Sequence, residues 1–260
     1  MPHALKVLLL IAIFTTASGC ALQHLITGAS PQTDQPTNFD TSNERLARLL
    51  EKAKEGNTKA QFTCGLMSYS GRGPVSQDRK RAFAWFRKAA ENGHPKAMFN
   101  TGLCYDLGHG TKQNNTTALK WYEKAADNGV LQGQLNAGLT YFRREKYQQA
   151  LPYFQKAAKQ GSTKAQYKVG QCRLRSAESE AALRKGASSI RKAASNGNAP
   201  AQLRLAELYR TGRGVPKNTD EMVNWLYFAA QQDMPKAQTK LGYCYEKGYG
   251  VDRNPKRALA

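Results

Sequence analysis

The stretch TGRGVPKN, residues 211 to 218, sets two glycines one residue apart ahead of a basic and a polar side chain. Glycines so placed could cradle a phosphate on backbone N–H groups, which would mark an enzyme. The frames that do so are G-x-x-x-x-G-K-[ST], or G-x-G-x-x-G between a strand and a helix, and this chain has neither. A catalytic loop is normally unique, whereas this pattern recurs as SGRGPVSQ from Ser70, LGHGTKQN from Leu107 and KGYGVDRN from Lys247. The histidines do not converge either: His3 and His24 precede the repeats, His94 falls in a turn and His109 in a glycine loop. No histidine or cysteine pair has the spacing of a metal site, and no serine sits in a nucleophile elbow. Neither a catalytic set, a metal nor a small-molecule cofactor is expected, and the chain is not expected to be an enzyme.

Recurrence points to architecture. The small residue that opens each segment ahead of a glycine loop stands at Ala60, Ala97, Gly133, Ala165, Ala201 and Ala237. The intervals are 37, 36, 32, 36 and 36 residues. A period of that size means stacked copies of one supersecondary unit, with neighbours burying each other's apolar faces. The first segment of a unit, AMFNTGLCYDLG from Ala97, holds no proline and is long enough for three helical turns. Its mid-segment Gly102 recurs as Gly65, Gly138, Gly170 and Gly242. Glycine there costs roughly 0.5 to 1 kcal/mol relative to alanine, so its recurrence predicts close approach of another element. The second segment, TTALKWYEKAADNG from Thr116, places Ala118, Trp121 and Ala125 at i, i+3 and i+7, and the tryptophan is expected to fill the gap between layers. Gly93, Gly129 and Gly197 suit the left-handed residue that closes a helix. Lys88, Lys124, Lys156 and Lys192 fall in the last turn before that stop, where the helix dipole favours a cation.

Together the patterns A-x-x-x-x-G-x-x-Y-x-x-G-x-G-V and K-A-x-x-W-x-x-K-A-A-x-x-G resemble the Sel-one-like repeat, a relative of the tetratricopeptide repeat. AQLRLAELYRTGRGV in the fifth unit and ALKWYEKAADNG in the second carry the match, which runs over 43–260. The resemblance implies an all-α, right-handed α/α solenoid of about six helix pairs. It also implies a protein-binding scaffold, with TGRGVPKN as an interhelical turn and Val215 tucked beneath the pair. The segment from Asn43 to Lys59 resembles a lone second helix that would cap the array. The third unit is four residues short, with RREKYQQA in place of a glycine turn, and the fourth has RSAESEAA. The sixth reaches Ala260 one position before its tryptophan, and a second helix added there is expected to raise stability.

Cys64, Cys104, Cys172 and Cys244 are expected to be buried thiols, with a bond from Cys64 to Cys104 left open. Cysteine-rich relatives carry paired cysteines within a unit, and some have been linked to β-lactam binding or hydrolysis. That pairing is missing, so an enzyme of cell-wall or β-lactam metabolism is only the alternative function.

The chain begins with Lys6, an apolar run from Val7 to Phe14 and small residues 17–19 before Cys20, as an export signal does. The run is far shorter than the roughly 20 residues that span a bilayer. TASGC resembles the bacterial lipoprotein signal, which implies cleavage after Gly19, lipidation of Cys20 and an outer-membrane location. Secretion or a periplasmic location is the alternative. The segment 20–42, rich in Thr, Gln and Pro, is expected to be a flexible tether.

The charge is +20, from 39 Lys and Arg against 19 Asp and Glu, so anionic partners are favoured. Export argues against nucleic acid. By analogy with tetratricopeptide arrays the first helices line the concave face, which brings Lys96, Asn100, Arg143, Tyr167, Arg210 and Tyr243 forward as residues that bind an acidic protein or peptide.

Overall fold

A computed structural model describes residues 39–71 and 75–258. The export signal 1–19, Cys20 and all but the last four residues of the expected tether lie outside the described residues. Those last four are helical, because the first helix, α1, already begins at Phe39 and runs to Lys54. Residues Glu44–Ala260 form one compact unit. Among the described residues no helix is long and apolar enough to cross a membrane.

The architecture is the expected right-handed α/α solenoid. After α1 come six first helices: α2 (Thr58–Ser70), α4 (Pro95–Leu107), α6 (Leu131–Arg143), α8 (Thr163–Arg175), α10 (Ala199–Thr211) and α12 (Pro235–Lys247). They alternate with α3 (Arg79–Glu91), α5 (Asn115–Asp127), α7 (Tyr147–Lys159), α9 (Glu180–Ser195), α11 (Thr219–Ala230) and the short α13 (Pro255–Ala258). Each helix packs chiefly on its neighbours along the chain, as a repeat array requires. Side chains of Asn57, Asp78, Asn114, Ser162, Ser179, Asn198 and Asn218 cap helix starts by accepting backbone N–H bonds. The third pair, α6 and α7, has no such side-chain cap at either start. Ala53 of α1 is fully buried and packs with Ala60 and Cys64, so the lone helix covers the end of the stack as expected.

The layer-filling side chain is not the expected tryptophan. Trp121 is half-buried, and Tyr122, one residue on, is 1% exposed. The same shift places Phe86, Phe154, Ile190 and Leu226 in the core, each four residues after Ala82, Ala150, Gly186 and Met222. Four residues return a helix to the same face more closely than three, so i, i+4 and i+7 form the inward stripe. Trp121 then lies on the flank, where Lys124 Nζ sits 4.4 Å above its ring. The recurrent mid-helix glycine answers the inward ring: a Cβ on Gly102 would stand 2.8 Å from Tyr122, and one on Gly138 2.8 Å from Phe154. In the fifth pair the glycine is Ala206 and the ring is replaced by the smaller Leu226.

The two glycines of each loop do separate work. Gly108, Gly212 and Gly248 take left-handed dihedrals and close α4, α10 and α12. The second glycine stacks on the preceding pair: a Cβ on Gly110 would meet Arg79 O at 2.0 Å, on Gly214 Leu183 O at 2.6 Å, and on Gly250 Thr219 O at 2.7 Å. No phosphate is needed to explain the spacing. Val215 packs partly buried against the core of the fourth and fifth pairs. Between α6 and α7 only Arg144, Glu145 and Lys146 remain, and Glu145 turns the chain with φ +60°.

Candidate partner-binding face

In the first helices the aligned small residue faces inward, and the residues at −1, +3, +6 and +10 from it share one outward stripe, about a quarter-turn around the helix from it. Lys96 at −1, Asn100 at +3, Tyr243 at +6 and Arg143 at +10 belong to this stripe. Tyr167 and Arg210, at +2 and +9, lie on the adjoining strip, toward the neighbouring pair.

Lys96 is exposed in the first turn of α4, and Asn100 is half-buried one turn later. Arg143 is exposed at the end of α6, with its guanidinium 3.5 Å from Thr140 Oγ1. Tyr243 is 57% exposed on α12. Arg210 is already occupied: its Nε donates to Glu207 Oε2 at 3.1 Å, and a second nitrogen bonds Oε1. That hydrogen bond holds the Glu207 carboxyl below its usual range, so the pair meets a partner as a neutral unit. Among the described residues no direct hydrogen bond or ion pair joins any two of the six.

The stripe has a polarity that these six residues do not express. At +3 the six pairs carry Thr63, Asn100, Asn136, Lys168, Arg204 and Lys240. At +6 they carry Leu66, Leu103, Leu139, Gln171, Glu207 and Tyr243. At these two positions the first three pairs carry no charge, while each of the last three carries a cation at +3, with Glu207 beside Arg204; at −1 and +10 the first three pairs add Lys59, Lys96 and Arg143. Comparing one register position across all units would have found Lys168, Arg204 and Lys240 without coordinates.

Side chains tie consecutive first helices into a continuous surface over this cationic half. Lys168 Nζ lies 4.2 Å from the centroid of Phe142 on the third pair, and Arg175 stands 5.6 Å from the same ring. Arg175 also donates to the Tyr147 phenol oxygen Oη at 3.2 Å. Lys168 donates to Gln171 Oε1 at 2.8 Å, and Gln171 Nε2 donates to the Tyr167 phenol oxygen Oη at 2.8 Å. Tyr167 is half-buried against the next pair's core, where burial raises its phenol's proton affinity and Arg204 acts against that shift. On the sixth pair Lys240 approaches Glu207 at 3.9 Å. Burial, then the nearby Lys164 and Arg175, make Lys168 easier to deprotonate than a free lysine. Among the described residues no carboxylate reaches Lys164, Lys168, Arg175 or Arg204 at ion-pair distance.

Other groups with chemical capacity have structural partners. His94 Nδ1 caps α4 by accepting from Ala97 N at 3.2 Å, and its ring stacks 4.4 Å from Phe62. His109 Nδ1 lies 3.0 Å from the Tyr69 hydroxyl Oη. Cys64, Cys104, Cys172 and Cys244 are buried as expected, and all are free, so the Cys64–Cys104 bond left open is not formed. Burial pushes the Cys104 and Cys172 thiols up to about 12. At pH 8 the native protein is therefore expected to consume no thiol reagent at these two positions until guanidinium unfolds it; rapid native labelling of either would contradict the packing.

A stack of helix pairs joined mostly by glycine turns defines a helical-repeat solenoid. The chain belongs to the Sel1 repeat family: the Sel1 repeat model matches residues 58–94, 95–130, 133–162, 199–234 and 235–260. The fourth pair, at 163–198, folds like the others but falls between the matched segments. DAP3-binding cell death enhancer 1 of Rattus norvegicus is 38% identical over 170 residues, 63% of this chain and 33% of that protein. Chitin synthase regulatory factor 3 of Schizosaccharomyces pombe is 29% identical over 79% of this chain and 23% of its own length. The chain thus spans a third or less of these two relatives. Among solved structures, a Sel1 repeat protein from Oxalobacter formigenes superposes with a TM-score of 0.63 at 26% identity, covering 82% of this chain and 93% of that one. A protective antigen of uropathogenic Escherichia coli strains with the same repeat fold gives 0.50 at 28% identity, over 82% and 54%.

Proposed function

We propose that this protein is a non-catalytic interaction scaffold of the bacterial cell envelope, lipid-anchored to the outer membrane through Cys20, whose first-helix stripe binds an acidic segment of another protein. Family membership supports the scaffold role, and the names of relatives that bind or regulate other proteins agree with it. The observation that carries the choice of face is the group Lys164, Lys168, Arg175 and Arg204, which among the described residues no carboxylate reaches at ion-pair distance. The lysines near the ends of second helices do not compete with it as a recognition surface. Lys88, Lys124 and Lys156 lie over Trp85, Trp121 and Tyr153, and Lys156 also pairs with Asp127 at 2.9 Å. Their charge serves helix ends and flanking rings.

The test combines mass spectrometry of the mature N-terminus with site-specific photo-crosslinking in intact cells. A diacylglyceryl Cys20, and a discrete protein adduct from a photoreactive residue at Lys240 but not at Lys120, are expected. An unmodified N-terminus would refute the anchor. Equal crosslinking from both positions would refute the choice of face.

A further inference from the structure

Lys236, Lys240 and Lys247 of the sixth pair stand at the same register as Lys164, Lys168 and Arg175 of the fourth, but there Glu207 and Glu246 pair with Lys240 and Lys247, whereas among the described residues no carboxylate reaches the three cations of the fourth pair at ion-pair distance. Lys164, Lys168 and Arg175 fall at −1, +3 and +10 of one helix and so share a single stripe of α8. Lys168 and Arg175 are held over one ring, Phe142, and Arg175 is fixed further by Tyr147. Like charges gathered on one face repel, the more so where Lys168 is half-buried and screened less by water. Arg210, by contrast, is neutralised by Glu207, and Lys88 and Lys124 lie over separate rings. Here the rings and Gln171 fix the positions of Lys168 and Arg175, and among the described residues no carboxylate offsets their charge at ion-pair distance. The pair that carries them is also the one whose sequence departs furthest from the repeat. A unit that keeps its fold while losing its consensus indicates a demand other than packing.

We propose that Lys168 and Arg175, framed by Phe142, Tyr147 and Tyr167 and continued by Arg204 on the next pair, form the seat for a side-chain carboxylate of an extended acidic peptide segment. The proposal rests on the reading above that the stripe binds an acidic protein segment, and it names where that segment is anchored. The guanidinium of Arg175 and the ammonium of Lys168 supply charge-assisted donors, and Arg204 receives the next acidic side chain along the segment. Lys168 and Arg204 are half-buried, and Lys168 and Arg175 are held on rings, which favours an inserted side chain over a lipid surface, met by freely exposed cations.

The experiment uses the full-length chain with Cys20→Ser, so that no lipid anchor contributes. A fluorescent dodecapeptide of alternating glutamate and glycine is titrated against it, beside the matched glutamine peptide and vesicles of phosphatidylglycerol in phosphatidylcholine. The double variant Lys168→Met, Arg204→Gln keeps the apolar stems and removes two charges; Lys120→Gln, Lys185→Gln removes two exposed charges from second helices. Circular dichroism and melting establish that both variants are folded. Retained binding in the second variant with at least about tenfold weaker binding in the first, for the glutamate peptide only, is the expected result. Equal losses in the two variants would overturn the seat and leave the acidic-segment reading standing. No preference of the wild type for the glutamate peptide would overturn that reading itself. Vesicle binding lost in the first variant, with the peptide unbound, would reassign the cations to a lipid surface.

Discussion

Tyr122→Ala is expected to destabilise the protein by about 3 to 5 kcal/mol, whereas Trp121→Ala, although it removes the larger side chain, should cost about 1 kcal/mol. Tyr122 is 1% exposed, fills the space over Gly102 and donates to Asp106 Oδ2 at 3.3 Å. Its removal leaves a cavity inside the second pair that rigid helices on both sides cannot close, and it takes this donor away from the Asp106 carboxylate. Trp121 gives up a flank contact and the cation held over its ring. Thermal melts of both variants check the ordering, and an equal or larger loss from Trp121→Ala would contradict the inward register of every second helix. The neighbouring Gly102→Ala should also destabilise, because its Cβ would press 2.8 Å from the Tyr122 ring and 3.1 Å from Ala118 O.

Gly110→Ala should cost about 3 kcal/mol or more, and Gly108→Ala only about 1 kcal/mol. Both glycines have positive φ, +75° and +70°, so the backbone penalty is shared. Space separates them. A Cβ on Gly108 meets nothing closer than 3.5 Å, while one on Gly110 would stand 2.0 Å from the carbonyl oxygen of Arg79 at the start of the previous pair's second helix. A backbone atom cannot swing aside as a side chain can, so the loop must lift and pairs one and two must separate locally. Chemical denaturation of the two variants measures the difference. Similar midpoints would mean that the second glycine does not stack on its neighbour.

Much of the fold was legible because a repeat states its packing rules six times over. The period, the helix pairs, the closing glycines and the lone covering helix all follow from positions that recur and from the physical reason each residue type is used there. The inward ring was misplaced by one residue. Trp121, Trp85 and Trp225 are conspicuous, and i, i+3, i+7 is nearly as good a helical face as i, i+4, i+7. What separates the two is the facing glycine, since Gly102 leaves room for Tyr122 and not for Trp121. The candidate face was legible only in part. Lys96, Asn100, Arg143 and Tyr243 share one stripe of their first helices, but Arg210 is consumed by Glu207 at i−3, a pairing the spacing alone allowed. Lys168 and Arg175 gain their meaning from Phe142 and Tyr147, which lie on the pair before, and contacts between units are not set by periodicity within one unit.

Where an acidic ligand lands is the claim on which the functional account depends. Backbone amide shifts of the isotope-labelled full-length chain, recorded while the glutamate–glycine peptide is added, measure it directly. The account predicts perturbations confined to α8, α10 and α12 and the facing end of α6, largest near Lys168 and Arg175, and abolished as salt shortens the screening length from about 10 Å at 0.1 M toward 3 Å at 1 M. Perturbations centred on the lysine-rich ends of α3, α5 and α9, with α8 unmoved, would contradict it.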